Sequence, residues 1–392
     1  MGSKPVTSIP DGKIPVWIDC DPGDQDAFAL LLISHHPRLH ALGASTVYGN
    51  SSLNHTTCNA LSLLTAFHST HISVHPGAAY PLCRPSISAP DIHGVSGIDG
   101  TSLLPKSMTC ASKVSAVPAM AHAIFDTPRG SAWIIATGTL TNIAHLLRAY
   151  PKVATWVAGV SIMGGALGGS FTSARMGHVD EIDQIGNISK WAEFNILADP
   201  EAAHEVLSCS LLQGKITLIP LDVTHLVIAT EDVRHNLLWG KRSRENMNGN
   251  ERIIKKPNHL RQMMFELLSF FADTYAESFG FTSGPPLHDP VAVAVLLSDE
   301  ISFTYKLHDE SSKPVEEQYE ITVMTKGSFA DAKAGAQTGR TLVKLLQPGE
   351  IGVRIPRDLD IEAFWSTVEI CLTRALEKLR VDSMSDLEFQ LV

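Results

Sequence analysis

The stretch Val16-Trp17-Ile18-Asp19-Cys20-Asp21-Pro22-Gly23-Asp24-Gln25-Asp26-Ala27 sets four carboxylates within eight residues, between a short apolar run and an almost wholly apolar helical segment. A lone aspartate before a helix is ordinarily a cap that offsets the macrodipole, worth about 0.3–1 kcal/mol. Asp199-Pro200 fits that description. Four acids in one turn cannot all be caps. Crowded carboxylates repel and raise one another's pKa unless a cation neutralises them, and oxygen-only ligands suit Ca²⁺ or Mg²⁺ rather than zinc.

Outward from this stretch, short β-branched runs alternate with longer helical patterns, the order that gives an α/β fold with a central, mostly parallel sheet flanked by helices. The pattern predicts strands over 15–18, 43–47, 72–75, 133–136, 157–163, 216–220 and 321–324. It predicts helices over 24–34, 53–67, 140–149, 201–207, 259–279, 291–297 and 361–379. Polar residues follow the strands: Asp19 and Asp21, Tyr48 and Asn50, Thr137, Gly164 and Gly165, then Asp222 and Thr224. Ligands of open α/β sheets bind beyond the carboxyl ends of the strands, so these residues are expected to line one crevice. One domain over 1–392 is the economical organisation, with a core of about 15–379 and insertions at about 168–186, 240–257 and 308–318. No internal repeat is visible.

The 392 residues carry 31 basic and 41 acidic side chains, a formal charge of −10, which argues against phosphate-backbone binding and excludes nucleic acid as the expected partner. With 44% hydrophobic and 18% charged residues, and no apolar run of membrane-spanning length, neither disorder nor a membrane role is expected. The opening residues lack an apolar signal core, and Val6 stands where a myristoylation site needs Ser or Thr. Six scattered cysteines without a CxxC read as reduced thiols, so a cytoplasmic protein is expected, and the sequons at Asn50, Asn54 and Asn187 read as coincidence.

Five segments taken in order then resemble the inosine-uridine-preferring nucleoside hydrolase family: Asp19-Cys20-Asp21-Pro22-Gly23, Thr46-Val47-Tyr48-Gly49-Asn50, Ala136-Thr137-Gly138-Thr139-Leu140-Thr141-Asn142, Ala192-Glu193-Phe194-Asn195 and His288-Asp289-Pro290. The resemblance implies a Rossmann-like fold and hydrolysis of the N-glycosidic bond of purine or pyrimidine ribonucleosides, of the inosine and uridine class, to ribose and free base. It also implies Ca²⁺ as cofactor, a small ribonucleoside as ligand, and a homodimer or homotetramer. The implied calcium ligands are Asp21, Asp26, the Thr137 carbonyl and Asp289. Asp21 would double as general base for the attacking water, and Asp19 would stand behind it and orient the loop.

Ribose contacts would fall on Asn50, Asn187, Glu193 and Asn195. Glu193 and Asn195 lie two apart, on one side of the chain if it is extended. His288-Asp289-Pro290 reads as a helix start with Asp289 as cap and Pro290 at the first helical position. His288 becomes the expected acid for the departing base. His93, and Tyr275 with Phe271 four residues before it on one helical face, are expected at the base.

One residue departs from the family. Two adjacent aspartates are usual where this chain has Gln25-Asp26, and the first ordinarily accepts from the ribose 2′-hydroxyl. A neutral acceptor there costs about 1–2 kcal/mol, or roughly 5–30-fold in transition-state binding. Asp24 could compensate if the loop shifts register. The alternative is a catalytically weakened, calcium-bound nucleoside- or ribose-binding homologue. A phosphatase of the haloacid-dehalogenase type also places Asp-x-Asp after its first strand, but it requires Thr or Val where this chain has Gly23.

Overall fold

The computed structural model describes residues 9–179, 182–240, 257–308 and 315–389. Val6, most of the insertion expected at 240–257 and the centre of that at 308–318 lie outside the described residues.

The first apolar run becomes β1 (Ile14–Cys20), the middle of a six-stranded parallel sheet. The other strands are β2 (Leu39–Thr46), β3 (Val74–Pro76), β4 (Trp133–Ala136), β5 (Gly159–Met163) and β6 (Ile216–Ile219). Their spatial order is β3-β2-β1-β4-β5-β6, so the chain winds outward first to one side of β1 and then to the other. The reversal falls between β1 and β4, the place where such sheets open a crevice at their carboxyl ends.

Side chains of β1 alternate between two core layers, as the strand period of two requires. Val16, Ile18 and Cys20 join one layer with Phe28, Leu63 and Phe364, and Trp17 joins the other with Ile134, Ile143 and Val206. The first layer is covered by α1 (Asp26–His35), α2 (Leu53–Ala66), α8 (His259–Phe279), α9 (Asp289–Ala294) and α10 (Ile361–Phe389). The second is covered by α3 (Ala116–Phe125), α4 (Thr141–Ala149) and α6 (Pro200–Leu207). Helix α1 is apolar on nearly every face because it is covered on nearly every face, with α9 and α10 packed against it.

Two departures from the expected pattern have local causes. Residues 321–324 do not extend the central sheet: β7 (Tyr319–Val323) pairs antiparallel with β8 (Thr341–Leu345), and its strict buried-exposed alternation is that of a ribbon with one covered face. Helix α3 was not expected because it contains Pro118, which sits in the first turn where its missing N–H is not needed. Short α5 (Phe194–Ala198) and α7 (Glu231–Trp239) complete the helices used below. All six cysteines are free, and no helix among the described residues is long and apolar enough to cross a membrane.

Asp199 is the expected cap of α6, accepting from Ala202 N–H at 3.1 Å. It also accepts from the Thr141 hydroxyl at 2.6 Å and Leu82 N–H at 2.9 Å, so one carboxylate joins α4, α6 and the loop after β3. Replacing Asp199 with Ala should therefore cost about 1–3 kcal/mol in urea unfolding, the sum of a lost cap and two orphaned donors.

Candidate active site

The acids after β1 are buried where the sheet reverses. Asp19, Asp21, Asp24 and Asp26 are at most 1% exposed, and Asp289 at the start of α9 is 7% exposed. Asp19 turns to the second layer: its Oδ1 accepts from Asn142 Nδ2 at 2.7 Å and from the Ser45 hydroxyl. It thereby ties β1 to β2 and α4, behind the cavity rather than in it.

Asp21 Oδ2 accepts from Asn50 N–H at 2.8 Å, and Asn50 Nδ2 donates back to the Asp21 carbonyl at 3.0 Å. Gly49 is required here, because a Cβ at that position would stand 1.9 Å from Asp21 Oδ2. The other oxygen, Asp21 Oδ1, is buried without a partner. Asp26 accepts from Gly23 N–H at 3.0 Å and from the Thr137 hydroxyl at 2.8 Å. Its carboxyl stands beside that of Asp289. The Thr137 carbonyl, at the end of β4, accepts from Asn195 Nδ2 at 2.8 Å.

Burial raises the pKa of each of these acids, and neighbouring carboxylates add to it at Asp21 and Asp289. Asp21 is pushed well up by burial and by Asp26, and Asp289 by burial, Asp26 and Asp21. Burial pushes Asp19 up to about 7 and Asp24 up to about 6. Among the described residues no three acid, imidazole or thiol groups form a ready-made metal cage. The donor set nevertheless fits a hard cation. It holds three mutually repelling carboxylates, a backbone carbonyl and an unpartnered buried oxygen, all hard donors.

One cavity runs past these acids. Gln25, Asn50, His93, Thr137, Asn187, Glu193, Asn195, Tyr275, His288 and Asp289 all line it, so the structure brings together most of the residues singled out from the sequence. Asp19, Asp21 and Asp26 lie behind this lining, and Asp222 and Tyr48 do not join it either. Asp222 accepts from Leu167 and Gly168 N–H, each at 2.8 Å, and pins the loop after β5, while the Tyr48 hydroxyl donates to the Ala198 carbonyl at 3.2 Å.

Three local expectations need correction. Glu193 and Asn195 are not on an extended segment: Glu193 caps α5, accepting from Asn195, Ile196 and Gly165 N–H at 2.9–3.0 Å, and Asn195 lies inside the helix. Asp289 is not a cap, because α9 begins at Asp289 itself with no side-chain cap and the carboxyl turns toward Asp26. Gln25 does not offer a free acceptor to a ligand. Its Oε1 accepts from His288 N–H, which leaves its amide NH₂ as the unengaged polar group.

His288 sits in a chain of hydrogen-bonded side chains. Its Nδ1 is 2.6 Å from the Thr224 hydroxyl and its Nε2 is 2.9 Å from the Tyr275 hydroxyl, which accepts from Asn187 Nδ2 at 3.4 Å. Burial holds the imidazole well below its ordinary pKa. The residue expected as an acid is thus a buried neutral ring whose Nε2 is occupied by a tyrosine.

Helix α8 supplies the opposite wall through Phe271, Tyr275 and Phe279, with ring centroids 4.6 and 4.7 Å apart in sequence. Phe279, Met163 and Ile92 line the cavity and were missed from sequence. For Phe279 the signal was present, as the next member of the four-residue stripe.

The chain matches the family model for inosine-uridine preferring nucleoside hydrolases over residues 16–366. It is 36% identical over 376 residues to a uridine nucleosidase of Saccharomyces cerevisiae, covering 93% of this chain and 97% of the relative. It is 37% identical over 289 residues to a pyrimidine-specific ribonucleoside hydrolase of Shewanella oneidensis, covering 73% and 79%. A purine-preferring ribonucleoside hydrolase from Gardnerella vaginalis shares the fold at a TM-score of 0.70 and 22% identity, over 92% of this chain and 99% of that one.

The raised acids give stability a sign against pH. A carboxyl whose pKa is higher folded than unfolded holds its proton longer in the native state, so its contribution is lost as pH rises. Asp19 at about 7 and Asp24 at about 6 define the window. In chelator, urea unfolding should show stability falling by about 1 kcal/mol per pH unit or more between about pH 4 and pH 7. Asp19→Asn should reduce that slope.

Proposed function

Because the chain belongs to the inosine-uridine preferring nucleoside hydrolase family and is a nucleoside hydrolase, we propose that it cleaves pyrimidine ribonucleosides, uridine above all, in a Ca²⁺-dependent reaction that yields ribose and the free base. The observation that carries this reading is a cavity with two unlike ends, polar groups of Asn50, Thr137, Asn195 and Asp289 on one side and an aromatic and imidazole wall on the other. The choice is supported by the names of two relatives, one a uridine nucleosidase and the other a pyrimidine-specific ribonucleoside hydrolase.

Asp21, Asp26, Asp289 and the Thr137 carbonyl would hold the cation. Bound there, it would neutralise the cluster and lower the pKa of a water. The rest of the work falls to the protein. Asp21 Oδ1, which no protein donor satisfies, accepts the proton of the attacking water. The water oxygen bonds to the anomeric carbon as the bond to the base nitrogen breaks, through an oxocarbenium-like centre of the kind glycosidases stabilise.

Asn50, Asn187, Glu193 and Asn195 hold the ribose hydroxyls, with Glu193 kept in place by the three backbone N–H groups it caps. Phe271 and Tyr275 cover the base, and the Tyr275 hydroxyl, bonded to His288 Nε2, is the proton-bearing group on that wall.

The test is a nucleoside panel assayed for ribose release with and without chelator. Uridine should be cleaved fastest, chelation should abolish cleavage, and Ca²⁺ should restore it. Asp26→Ala should lose calorimetric Ca²⁺ binding and about a thousandfold or more in kcat/KM, the several kcal/mol a bound cation contributes. Full activity in metal-free Asp26→Ala would remove the metal from the reading. Nucleoside binding without ribose release would favour the weakened binding homologue, for which the engaged oxygen of Gln25 is the structural argument.

A further inference from the structure

His93 is held from three sides. Its ring is stacked on Phe271, with centroids 5.7 Å apart and planes 19° from parallel. It stands against the Gly23 backbone, where a Cβ would lie 3.1 Å from His93 Nδ1. The same Nδ1 is 3.0 Å from Oδ2 of Asp24, a side chain fully buried in the turn between the cluster acids. Asp24 Oδ1 has no partner, so the contact with His93 is the one side-chain hydrogen bond of this carboxylate among the described residues. His93 lines the cavity, and Nε2 is the ring nitrogen left to face it.

We propose that Asp24 is a positioning residue that holds His93 in its Nδ1–H tautomer, so that Nε2 meets the base as a hydrogen-bond acceptor. A carboxylate can only accept, so the proton on the shared edge belongs to Nδ1. An acceptor on that wall selects bases that present an N–H, such as the lactam N–H of uracil, over cytosine, which presents a bare ring nitrogen there. This rests on the nucleoside hydrolase reading above. It assigns a task to a residue that the acid cluster and the ribose contacts leave without one.

Two measurements test it, one of them independent of activity. In ¹⁵N spectra of histidine-labelled protein, the signals missing from His93→Gln should show a protonated Nδ1 and a bare Nε2. A bare Nδ1 overturns the proposal.

In kinetics, the informative quantity is the ratio of kcat/KM for uridine to that for p-nitrophenyl riboside, whose leaving group offers no N–H. That ratio should fall about tenfold in Asp24→Leu, the worth of one oriented hydrogen bond. In Asp24→Asn, whose side-chain carbonyl still accepts from Nδ1–H, it should stay within roughly threefold of the wild type. Equal losses on both substrates in Asp24→Leu, or a tenfold fall of the ratio in Asp24→Asn as well, would overturn the proposal. Absence of ribose release from every nucleoside in the wild type would overturn the functional reading instead, and the tautomer measurement would then decide on Asp24.

Discussion

Burial of like charges is the constraint on which the site depends. Asp21, Asp26 and Asp289 come from two distant parts of the chain and meet with 7% exposure or less; Asp26 raises the pKa of Asp21, and both raise that of Asp289. A protein tolerates such a cluster when hydrogen bonds or a counter-charge meet every oxygen. Backbone N–H groups of Asn50 and Gly23 and the Thr137 hydroxyl meet some of them. Asp21 Oδ1 meets none, and the Asp26 carboxyl stands beside that of Asp289. The protein-only accounting is therefore incomplete at Asp21, and also at Asp19, where Ser45 and Asn142 both sit on one oxygen and the other has no partner.

The fold was legible where burial writes itself into local pattern. A strand covered on both faces reads as a continuous apolar run, which is why 133–136 and the middle of β1 were recoverable, and α8 was bounded to the residue by its cap and a terminal glycine. The site was legible at its acidic end because four aspartates within eight residues have no ordinary structural use.

What failed was conformation set from a distance. Five residues of α5 carry too little periodicity to announce a helix, and its start is created by a glutamate side chain folding back on two N–H groups. Whether Asp289 caps α9 or turns to Asp26 is decided by a partner more than 250 positions away, which no window around residue 289 contains. The pairing of Gln25 with His288 N–H is of the same kind.

That last pairing bears on how the two ends of the cavity are coupled. The acid end is assembled from the ends of β1 and β4 and the start of α9, all fixed by the sheet. The aromatic end is carried by one helical stripe, Phe271, Tyr275 and Phe279, together with the turn that bears His93. The turn after Asp21 touches both: Asp24 bonds the ring of His93 and Gln25 bonds the backbone of His288. Residues 24 and 25 therefore bridge the cluster that would handle water and ribose and the wall that would handle the base. A side chain at 25 that engaged the sugar alone would leave His288 N–H without its acceptor. The departure at Gln25 is better understood as part of the base wall than as a damaged ribose contact, and Asp24 beside it as its partner in the same task.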